Sequence, residues 1–442
     1  MSVDSYRELV DALFPRLTGG IQWGLERTRR MLAAAGNPHH RFRSIHIGGT
    51  NGKGSVAATL ESVLRSAGMR TGLYTSPHLC TFRERIRLSG EPITEDALLA
   101  AARRLWPVVE AEQPSFFEAT TAIAFLALAD SAVDVAVVEV GLGGRLDATN
   151  VITPELAIIT NVALDHTQFL GPTLASVAAE KAGIFKKGVH ALTAETNPEP
   201  LGVLRDVAIR VGAQLEILSP GDVEIRSLGL EGVRFRMKTV AWPNLEVRTP
   251  LIGAHQATNT ALAVKALDRL SPDLQPDRET LLRGVAGVVW PGRLQVERIR
   301  GRTWVFDVAH NVAGVQALSA ALATLPLPRP RILLVGVLGD KDWRNMLGPL
   351  YGVADGAVLT RPPTAPAERA WDADAVLAEV ANPNAEAITD FSLALERSAR
   401  RAGPAGTVIV TGSFHTVGDA LAAMGRAPSG VDPGVTVPSL PA

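Results

Sequence analysis

Short apolar runs alternate with longer amphipathic stretches over the first half of the chain. The runs are rich in β-branched residues and bounded by turn residues, which predicts buried strands at Ser44–Ile47, Thr71–Tyr74, Val133–Val138 and Leu156–Ile159. The stretches between them predict helices at Val56–Ala67, Glu95–Glu110 and Ala119–Ala129. Strands that alternate with helices need crossover connections, so this region predicts a mostly parallel sheet with helices on both faces.

The pattern changes near residue 224. Glu224–Trp242 alternates polar and apolar residues around central glycines, which predicts an antiparallel hairpin added to the main sheet. A helix is predicted at about His255–Leu270. Gly284–Arg293 concentrates glycine with a tryptophan and a proline, and we interpret it as a hinge.

Beyond the hinge the strand–helix alternation resumes. Strands are predicted at Trp304–Phe306, Arg331–Val335, Ala357–Leu359 and Thr407–Val410. These elements predict a smaller, Rossmann-like second domain, so that residues 1–290 form one domain and residues 291–426 another. Residues 427–442 hold four prolines and almost no charge, which predicts a flexible tail.

Composition narrows the function classes. The 442 residues include 44 Lys plus Arg and 45 Asp plus Glu, a formal charge of −1, whereas a nucleic-acid-binding protein normally has a clustered basic excess. The single cysteine, Cys80, cannot form an intramolecular disulfide and fits a reducing compartment. The first residues, which include Asp4, have no long apolar core and therefore do not predict a signal peptide. The longest uncharged run, Ala402–Gly418, contains proline and glycine and does not predict a membrane span. We therefore expect a cytoplasmic protein with no nucleic-acid or membrane partner.

The segment Ser44–Ser55 carries the clearest chemical signal. An apolar strand enters the glycine-rich turn GTNGKGS, and a helix is predicted to begin near Lys53. Backbone N–H groups and the helix dipole at such a start favour an anion. Lys53 would reach the outer phosphates of a nucleotide, and a neighbouring hydroxyl could hold Mg²⁺. The strict phosphate-loop pattern wants glycine at Ile47 and Ser or Thr at Gly54, so a simple turn with a helix cap is the alternative.

Two further side chains stand where predicted strands end. Glu139 ends the apolar run that begins at Val133, where an acid can hold the metal that a phosphate loop needs. His166 lies just past the carboxyl end of the next strand, the edge at which open α/β sheets bind ligands. The alternatives are a solvated strand end for Glu139 and a structural histidine for His166. The three glycines of GLGGRLDATN (141–150) indicate backbone folded closely around a ligand.

Ten motifs in order resemble one family, from about residue 18 to residue 420. They are IQWGLERTRRML (21–32), HIGGTNGKGS (46–55), TSPHLCTFRERI (75–86), FFEATTAIAF (116–125), VVEVGLGGRLDATN (137–150), LDHTQFLGPTLASVAAEKAGIFKKG (164–188), GAHQATNTALA (253–263), PGRL (291–294), DVAHN (307–311) and GSFHTVGD (412–419). In these motifs the chain resembles the folylpolyglutamate synthase and dihydrofolate synthase family of the Mur-ligase superfamily. The family's own loop reads GTNGKGS, so the departure from the strict pattern is a family feature.

The resemblance implies an α/β fold with an N-terminal P-loop ATPase-like parallel-sheet domain, a small antiparallel element and a smaller Rossmann-like C-terminal domain. It implies an ATP-dependent ligase that joins L-glutamate to dihydropteroate, to the γ-carboxylate of folates, or to both. ATP would phosphorylate the acid, and the amino group of glutamate would attack the acyl phosphate. The expected cofactors are ATP and two Mg²⁺ ions, with a carbamylated lysine and a monovalent cation such as K⁺ also possible, in a monomeric enzyme.

The family motifs imply roles for individual residues. The expected catalytic residues are Lys53, Lys181, Arg293 and His310. The expected ATP-binding residues are Gly49, Thr50, Asn51, Gly52, Lys53, Gly54, Ser55, Asn259, Arg293 and Asp307. The expected metal ligands are Ser55, Glu139, His166 and Lys181, the last as a carbamate. The expected folate or pteroate site comprises Gly24, Leu25, Glu26, Arg27, Ser76, Pro77, His78, Phe117, Glu118 and Thr121. His310 and Ser413 are expected to bind glutamate.

Several interpretations stay open at this point. Val308 and Val312 replace a glycine and a proline of the family's DGAHNP motif, which affects the expected loop shape. FFEATT could also be a helix start with core aromatics, and Lys181 could be a solvated lysine on a helix. A folylpolyglutamate synthase without the second activity, another Mur-type amino-acid ligase and a nucleotide-dependent switch are the alternative functions. The NKxD string typical of GTPase switches is absent from the sequence.

Overall fold

The computed structural model describes residues 3–17, 23–380 and 382–433. Its first part forms an eight-stranded sheet. The strands are β1 (Arg43–Gly48), β2 (Thr71–Tyr74), β3 (Ile86–Leu88), β4 (Glu91–Pro92), β5 (Val135–Glu139), β6 (Leu156–Ile159), β7 (His190–Thr193) and β8 (Gln214–Ile217). They lie in the order β4-β3-β2-β5-β1-β6-β7-β8, and all pairs are parallel except the two that β3 forms, with β2 and with β4. The predicted parallel sheet is confirmed, because fully buried β-branched runs suit strands covered on both faces.

Helices cover this sheet. They are α1 (Tyr6–Leu13), α2 (Glu26–Ala34), α3 (Lys53–Ser66), α4 (Glu95–Glu112), α5 (Phe116–Asp130), α6 (Thr167–Leu170), α7 (Leu174–Ala182) and α8 (Pro198–Val211). Helix α5 starts three residues before its predicted start, because Ser115 caps it and Glu118 completes a capping box with the Ser115 backbone. None of the described helices combines the length and the apolar composition needed to cross a membrane.

A three-stranded antiparallel sheet follows, of which the sequence predicted only the hairpin. Its strands are β9 (Val223–Gly229), β10 (Gly232–Met237) and β11 (Leu245–Thr249), with β10 in the centre. Strand β11 alternates buried and exposed residues over only five positions, too short a run to stand out in the sequence. Two helices, α9 (Ala254–Leu267) and α10 (Arg278–Ala286), come next.

The predicted hinge Gly284–Arg293 is wrong in its first three residues. Gly284 to Ala286 belong to helix α10. A Cβ atom on Gly284 would lie 2.5 Å from the Cα of Val63, so this glycine permits close packing of α10 on α3. The irregular segment is therefore limited to residues 287–293.

A second, six-stranded sheet forms the Rossmann-like part. Its strands are β12 (Gln295–Ile299), β13 (Arg302–Phe306), β14 (Arg331–Val335), β15 (Gly356–Leu359), β16 (Ala385–Ala387) and β17 (Thr407–Thr411). They lie in the order β12-β13-β17-β14-β15-β16, and only β12 is antiparallel. The helices are α11 (Val312–Thr324), α12 (Trp343–Tyr351), α13 (Ala373–Val380), α14 (Phe391–Ala402) and α15 (Phe414–Ala423).

The predicted flexible tail does not begin at Ala427. Ala427 packs against the apolar cluster beside α15, and Asp432 is buried and hydrogen-bonded to Tyr6, Thr81 and Phe82 of the first part. Residues 427–433 are therefore irregular but docked. The rest of the predicted tail, residues 434–442, lies outside the described residues.

Candidate active site

The loop between β1 and α3 has the strand–loop–helix form that the sequence predicts. Gly49 and Gly52 have φ of +134° and +83°, where side chains are strained. A Cβ atom on Gly49 would lie 1.9 Å from Thr160 Oγ1, and one on Gly52 would lie 2.5 Å from Asn259 Oδ1. Glycine is therefore required at both positions, and the N–H groups of the first turn of α3 are left for a ligand.

Thr50 and Asn51 hold this loop against the segment that follows β6. The Thr50 N–H donates to Asn161 O at 2.9 Å, and the Asn51 N–H donates to Asn161 Oδ1 at 3.1 Å. The Ala163 N–H donates to Thr50 Oγ1 at 2.9 Å. The loop is thus braced without a bound nucleotide.

Two lysines converge on one carbonyl oxygen of the loop. Lys53 Nζ donates to Gly49 O at 3.1 Å, and Lys181 Nζ, from the last turn of α7, donates to the same oxygen at 2.9 Å. Burial, and then the charge of Lys53, lowers the pKa of Lys181 to about 7. Burial also lowers the pKa of Lys53. The predicted alternative of a solvated helical lysine is therefore wrong for Lys181, which is 4% exposed.

Glu139 ends strand β5 beside the loop. Its Oε1 lies 4.0 Å from Lys53 Nζ, and its Oε2 accepts the Ser76 N–H at 3.2 Å. Burial raises the pKa of Glu139, and the charge of Lys53 opposes that effect. Because it is 5% exposed, Glu139 is not the solvated strand end that the sequence left open.

Arg293 reaches the same space from the segment before β12. Its guanidinium lies 5.4 Å from the centre of the Phe414 ring, and its buried Nε has no hydrogen-bond partner within the described residues. Burial lowers the pKa of Arg293, while Asp307 and Glu139 oppose this. A buried guanidinium with a donor to spare is suited to a phosphate.

Asp165 joins the two parts of the molecule, and the sequence interpretation missed it. Its Oδ1 accepts Lys341 Nζ at 2.6 Å, and its Oδ2 accepts Asn311 Nδ2 at 2.9 Å. The Lys341 ammonium also lies 3.3 Å from His166 Nε2. Their position in the sequence could have indicated both residues, because Asp165 follows the buried strand β6 and Lys341 follows the buried strand β14, at the edge of the sheet where ligands bind.

His310 faces Asp165 across the cleft in a defined orientation. Its Nδ1 lies 2.8 Å from Val308 O, which makes Nδ1 the donor and leaves Nε2 as an acceptor, 3.8 Å from Asp165 Oδ2. Burial, followed by the charge of Lys341, lowers the pKa of His310 to about 4. Burial and Lys341 likewise lower the pKa of His166 to about 4. Both rings are neutral near pH 7.

These side chains surround a cavity of about 110 Å³ between the two sheets. The predicted site residues that line it are Gly49, Thr50, Asn51, Gly52, Lys53, Gly54, Ser76, Pro77, Glu139, His166, Lys181, Arg293 and His310. An adjoining cavity of about 180 Å³ is lined by the predicted residues Asn51, Gly52, Ser55, Asn259, Arg293, Asp307 and His310. The structure therefore brings the predicted phosphate, metal and catalytic residues together.

Family models match both parts of the chain. The Mur ligase middle domain matches residues 47–267, and the Mur ligase glutamate ligase domain matches residues 292–414. Dihydrofolate synthase/folylpolyglutamate synthase of Bacillus subtilis is 35% identical over 94% of this chain and 98% of that protein. The Escherichia coli protein of the same name is 33% identical over 90% of each. The chain belongs to this ligase family.

Solved structures of the family have the same fold. Mycobacterium tuberculosis folylpolyglutamate synthase complexed with ADP superposes with a TM-score of 0.87, at 32% identity over 96% of this chain and 98% of that one. The E. coli enzyme in complex with DHPP and ADP has a TM-score of 0.80, at 31% identity over 93% of this chain and 96% of that one. This family member is accordingly an ATP-dependent ligase that joins glutamate to folates.

The family's expected glutamate residue Ser413 is not brought to the cavity lining. Its hydroxyl caps α15, accepting the Thr416 N–H at 3.1 Å and lying 2.8 Å from Thr416 Oγ1. Asp307 lines the second cavity, with its two oxygens already accepting the N–H groups of Leu294 and Ala309. Their roles toward glutamate and ribose stay predictions.

Much of the expected folate site also lies outside the cavity lining. Glu118 accepts Arg27 Nε at 3.1 Å besides forming the cap of α5, and Thr121 lies 3.0 Å from the hydroxyl of Tyr74. Glu26 is exposed and pairs with Arg29. Leu25 precedes α2 as its cap residue, and Gly24 stands before it with φ of +130°.

Phe117 and the loop Ser76–Leu79 lie closer to the cavity. This loop is called the substrate loop after the role that the family motifs imply for it. A Cβ atom on Gly141 would lie 2.3 Å from the Phe117 ring, and Gly141 is part of the cavity lining. Ser76 and Pro77 line the cavity directly, while His78 Nδ1 accepts Arg85 Nε at 2.9 Å. The alternative that FFEATT supplies core aromatics therefore fits Phe116, which is 3% exposed, better than it fits Phe117.

Proposed function

We propose that this ligase is bifunctional and adds L-glutamate both to dihydropteroate and to the γ-carboxylate of reduced folates. The observation that carries the proposal is the cavity in which Lys53, Glu139, His166, Arg293 and His310 converge beside the phosphate loop. Relatives that match over nearly all of the chain have names that include both activities. Residues 1–290 would carry the ATP and pteroate sites, and residues 291–426 would close over them.

The phosphate loop and two cationic side chains, Lys53 and Arg293, would hold ATP for phosphoryl transfer. The N–H groups at the start of α3 would contact the phosphates, while Lys53 and Arg293 would neutralise charge on the transferred group. A carboxylate oxygen of the acid would attack the γ-phosphorus, and the bond to the bridging oxygen would break to release ADP. Phosphoryl transfer of this kind depends mainly on positioning and charge, which a braced loop supplies.

The donor set fits Mg²⁺ bound together with nucleotide. No three His, Cys, Asp or Glu side chains are grouped as a metal cage in the described part of the chain. Mg²⁺ usually takes one or two carboxylates and completes its shell with phosphates and water, so a sparse site is suitable. Ser55 and Glu139 would hold one ion, and Glu139 with His166 a second. A bound Mg²⁺ would offset negative charge on the phosphate oxygens.

Lys181 is proposed to carry a carbamate. Two ammonium groups on Gly49 O repel each other in a desolvated cavity, and the low pKa of Lys181 favours the neutral amine that reacts with carbon dioxide. A carbamate is an anion with hard oxygen donors, so it would remove this repulsion and complete the second metal site. A monovalent cation such as K⁺ would be a further cofactor.

His310 would assist the second chemical step. Its Nε2 is the unprotonated nitrogen, and its ring is neutral. The amino nitrogen of glutamate would attack the acyl carbon, the carbon–oxygen bond to phosphate would break, and His310 would accept the proton lost by nitrogen. Ser413 would contact glutamate through its backbone, since its hydroxyl is used in capping.

The acid substrate would lie between Phe117 and the substrate loop. Phe117 offers an aromatic face for a planar pterin. Glu118, Thr121 and the segment Gly24–Arg27 would support this face through the cap of α5 and the Arg27–Glu118 ion pair. The enzyme is proposed to act as a monomer in the cytoplasm, on small-molecule substrates.

Phosphate release tests the proposal. The purified protein is assayed with Mg²⁺-ATP and glutamate, with dihydropteroate or tetrahydrofolate as acid, and with each substrate omitted in turn. Stimulation by both acids, dependent on glutamate, is expected. Stimulation by tetrahydrofolate alone would make the protein a folylpolyglutamate synthase only. Stimulation by neither, while the B. subtilis relative responds, would indicate another amino-acid ligase.

A further inference from the structure

Asp432 is a buried carboxylate that the family motifs do not include. It is 5% exposed and lies beyond residue 414, where the match to the Mur ligase glutamate ligase domain ends. Its Oδ1 accepts the Tyr6 hydroxyl at 2.5 Å and the Thr81 hydroxyl at 2.6 Å, and its Oδ2 accepts the Phe82 N–H at 2.9 Å. Burying a carboxylate is costly unless its oxygens are well bonded, so these donors fix where the chain end docks.

Two of these donors, Thr81 and Phe82, belong to a helical turn that holds the substrate loop, and Tyr6 belongs to α1. In this turn, Phe82–Arg85, Glu84 accepts the Leu79 N–H at 2.8 Å and completes a capping box with Thr81. Arg85 Nε donates to His78 Nδ1 at 2.9 Å. The other end of the substrate loop is tied to the site by the Ser76 N–H, which donates to Glu139. The loop is thus held between the metal-site acid and the turn that Asp432 anchors.

The same chain end contacts this region at further points. The Asp432 N–H donates to Cys80 O at 3.3 Å, and Arg83 donates to Ser429 O at 3.4 Å. Helix α15 also touches the loop, since a Cβ atom on Gly418 would lie 2.2 Å from Leu79 O. Residues 427–433, the clasp, therefore connect the end of the second part of the molecule to the turn beside the substrate loop.

We infer that Asp432 is a positioning residue, which holds the turn Phe82–Arg85 and through it sets the substrate loop for the acid substrate. This inference rests on the proposed contact between that loop and the pteroyl acid. Without Asp432, the buried Phe82 N–H loses its acceptor, and only one of the Tyr6 and Thr81 hydroxyls, which lie 3.1 Å apart, can still donate to the other. The turn must therefore shift to satisfy the remaining donors. The phosphate loop is held by its own hydrogen bonds to Asn161 and Ala163, so the loss of Asp432 is not expected to weaken ATP binding.

The test compares Asp432→Ala with a matched control in the full-length protein. Asp268 is also buried and accepts two backbone N–H groups, those of Val240 and Ala241, in the antiparallel-sheet region. Asp268→Ala should lower Tm without changing any KM. Asp432→Ala should raise the KM for dihydropteroate and tetrahydrofolate about five- to tenfold, the effect of unsatisfied buried donors, and leave the KM for ATP within about twofold. Asp432→Asn, which keeps acceptor oxygen, should lie between wild type and Asp432→Ala.

Hydrogen exchange separates the inference from the proposed function. Amides of residues 76–82 should exchange faster in Asp432→Ala than in wild type or Asp268→Ala, with no substrate present. A lower Tm with an unchanged KM for the acid and unchanged exchange at 76–82 would overturn the positioning role. If the wild type used neither acid, the proposed function would be wrong. Faster exchange at residues 76–82 in Asp432→Ala would still show that the clasp holds the substrate loop. If Asp432→Ala does not fold, Tyr6→Phe removes one donor and should raise the same KM about twofold.

Discussion

The phosphate end of the site and the proposed acid-substrate end are built differently. At the phosphate end, Glu139 accepts one backbone N–H, and the buried Nε of Arg293 has no hydrogen-bond partner among the described residues, so polar atoms remain for a ligand. At the acid-substrate end, Glu118 is bonded to Ser115 and Arg27, and Thr121 is bonded to Tyr74. The family motifs are equally clear at both ends. At the phosphate end they supply side chains that face the cavity, whereas at the acid-substrate end they supply mainly side chains that are bonded within the protein.

For Glu139 and Glu118 the difference follows from where each residue stands, since Glu139 ends β5 and Glu118 lies in the first turn of α5. A residue just past the carboxyl end of a parallel strand has no ladder partner beyond it, so its side chain is available to the cleft. Glu118 in the first turn of α5 lies beside unpaired N–H groups and is used in the capping box with Ser115. Substitutions should accordingly reduce catalysis at the phosphate end and stability at the acid-substrate end.

Lys53→Ala should have the largest effect. Removing a preorganised charge beside the transferred phosphoryl group should lower kcat about 10²–10³-fold. Tm should change little, because the Lys53 side chain faces the cavity and not the apolar core. Steady-state phosphate release measures the rate, with exposed Lys187→Ala as the control. Retention of more than about a tenth of wild-type activity would remove Lys53 from this role.

Lys181→Ala should lower activity about tenfold to a hundredfold if the lysine carries the carbamate that completes a metal site. A small carboxylate such as formate in the assay should restore part of the rate by filling the vacated space. Mass spectrometry of gently handled wild type should show carbon dioxide added at Lys181. An alanine variant with near-normal activity, together with an unmodified lysine, would contradict the carbamate.

Glu139→Gln should increase the Mg²⁺ requirement. The amide keeps the shape of the carboxylate but loses its charge, so the Mg²⁺ concentration for half-maximal rate at saturating ATP should rise about tenfold. Glu155→Gln is the matched control, since Glu155 pairs with Arg43 near the opposite ends of the strands. An identical Mg²⁺ titration in wild type and Glu139→Gln would show that Glu139 does not hold the metal at the phosphate end.

Glu118→Gln should have the smallest effect on catalysis. Loss of the charged acceptor for Arg27 and for the helix cap should reduce the free energy of unfolding by about 1–3 kcal/mol, measured by denaturant titration. The KM for dihydropteroate should change by less than about twofold, because the carboxylate is occupied. A large rise in KM at unchanged stability would show that Glu118 contacts substrate, and the two ends would no longer differ.

Sequence reasoning located Lys53, Glu139 and His166 because each marks a change from an apolar run to a polar residue at a strand end. It did not locate the pair of Asp165 and Lys341, which are 176 residues apart and meet only when the two sheets are side by side. Nor did it show that Glu118 caps α5 and binds Arg27, since the same FFEATT string fits a ligand site and a helix start. Asp432 was missed because low charge and proline are typical of loose chain ends.

The sequence by itself determined the parallel-sheet class, the glycine-rich loop and the family, because these depend on local periodicity and on residues close together in the chain. Only the tertiary structure decided which polar atoms remain unpaired in the cavity, that two lysines share Gly49 O, and that residues 427–433 dock beside the substrate loop. Such outcomes depend on the packing of distant segments. A side chain's chemistry fixes what it can bond, while its buried neighbours fix whether that capacity is left for a ligand.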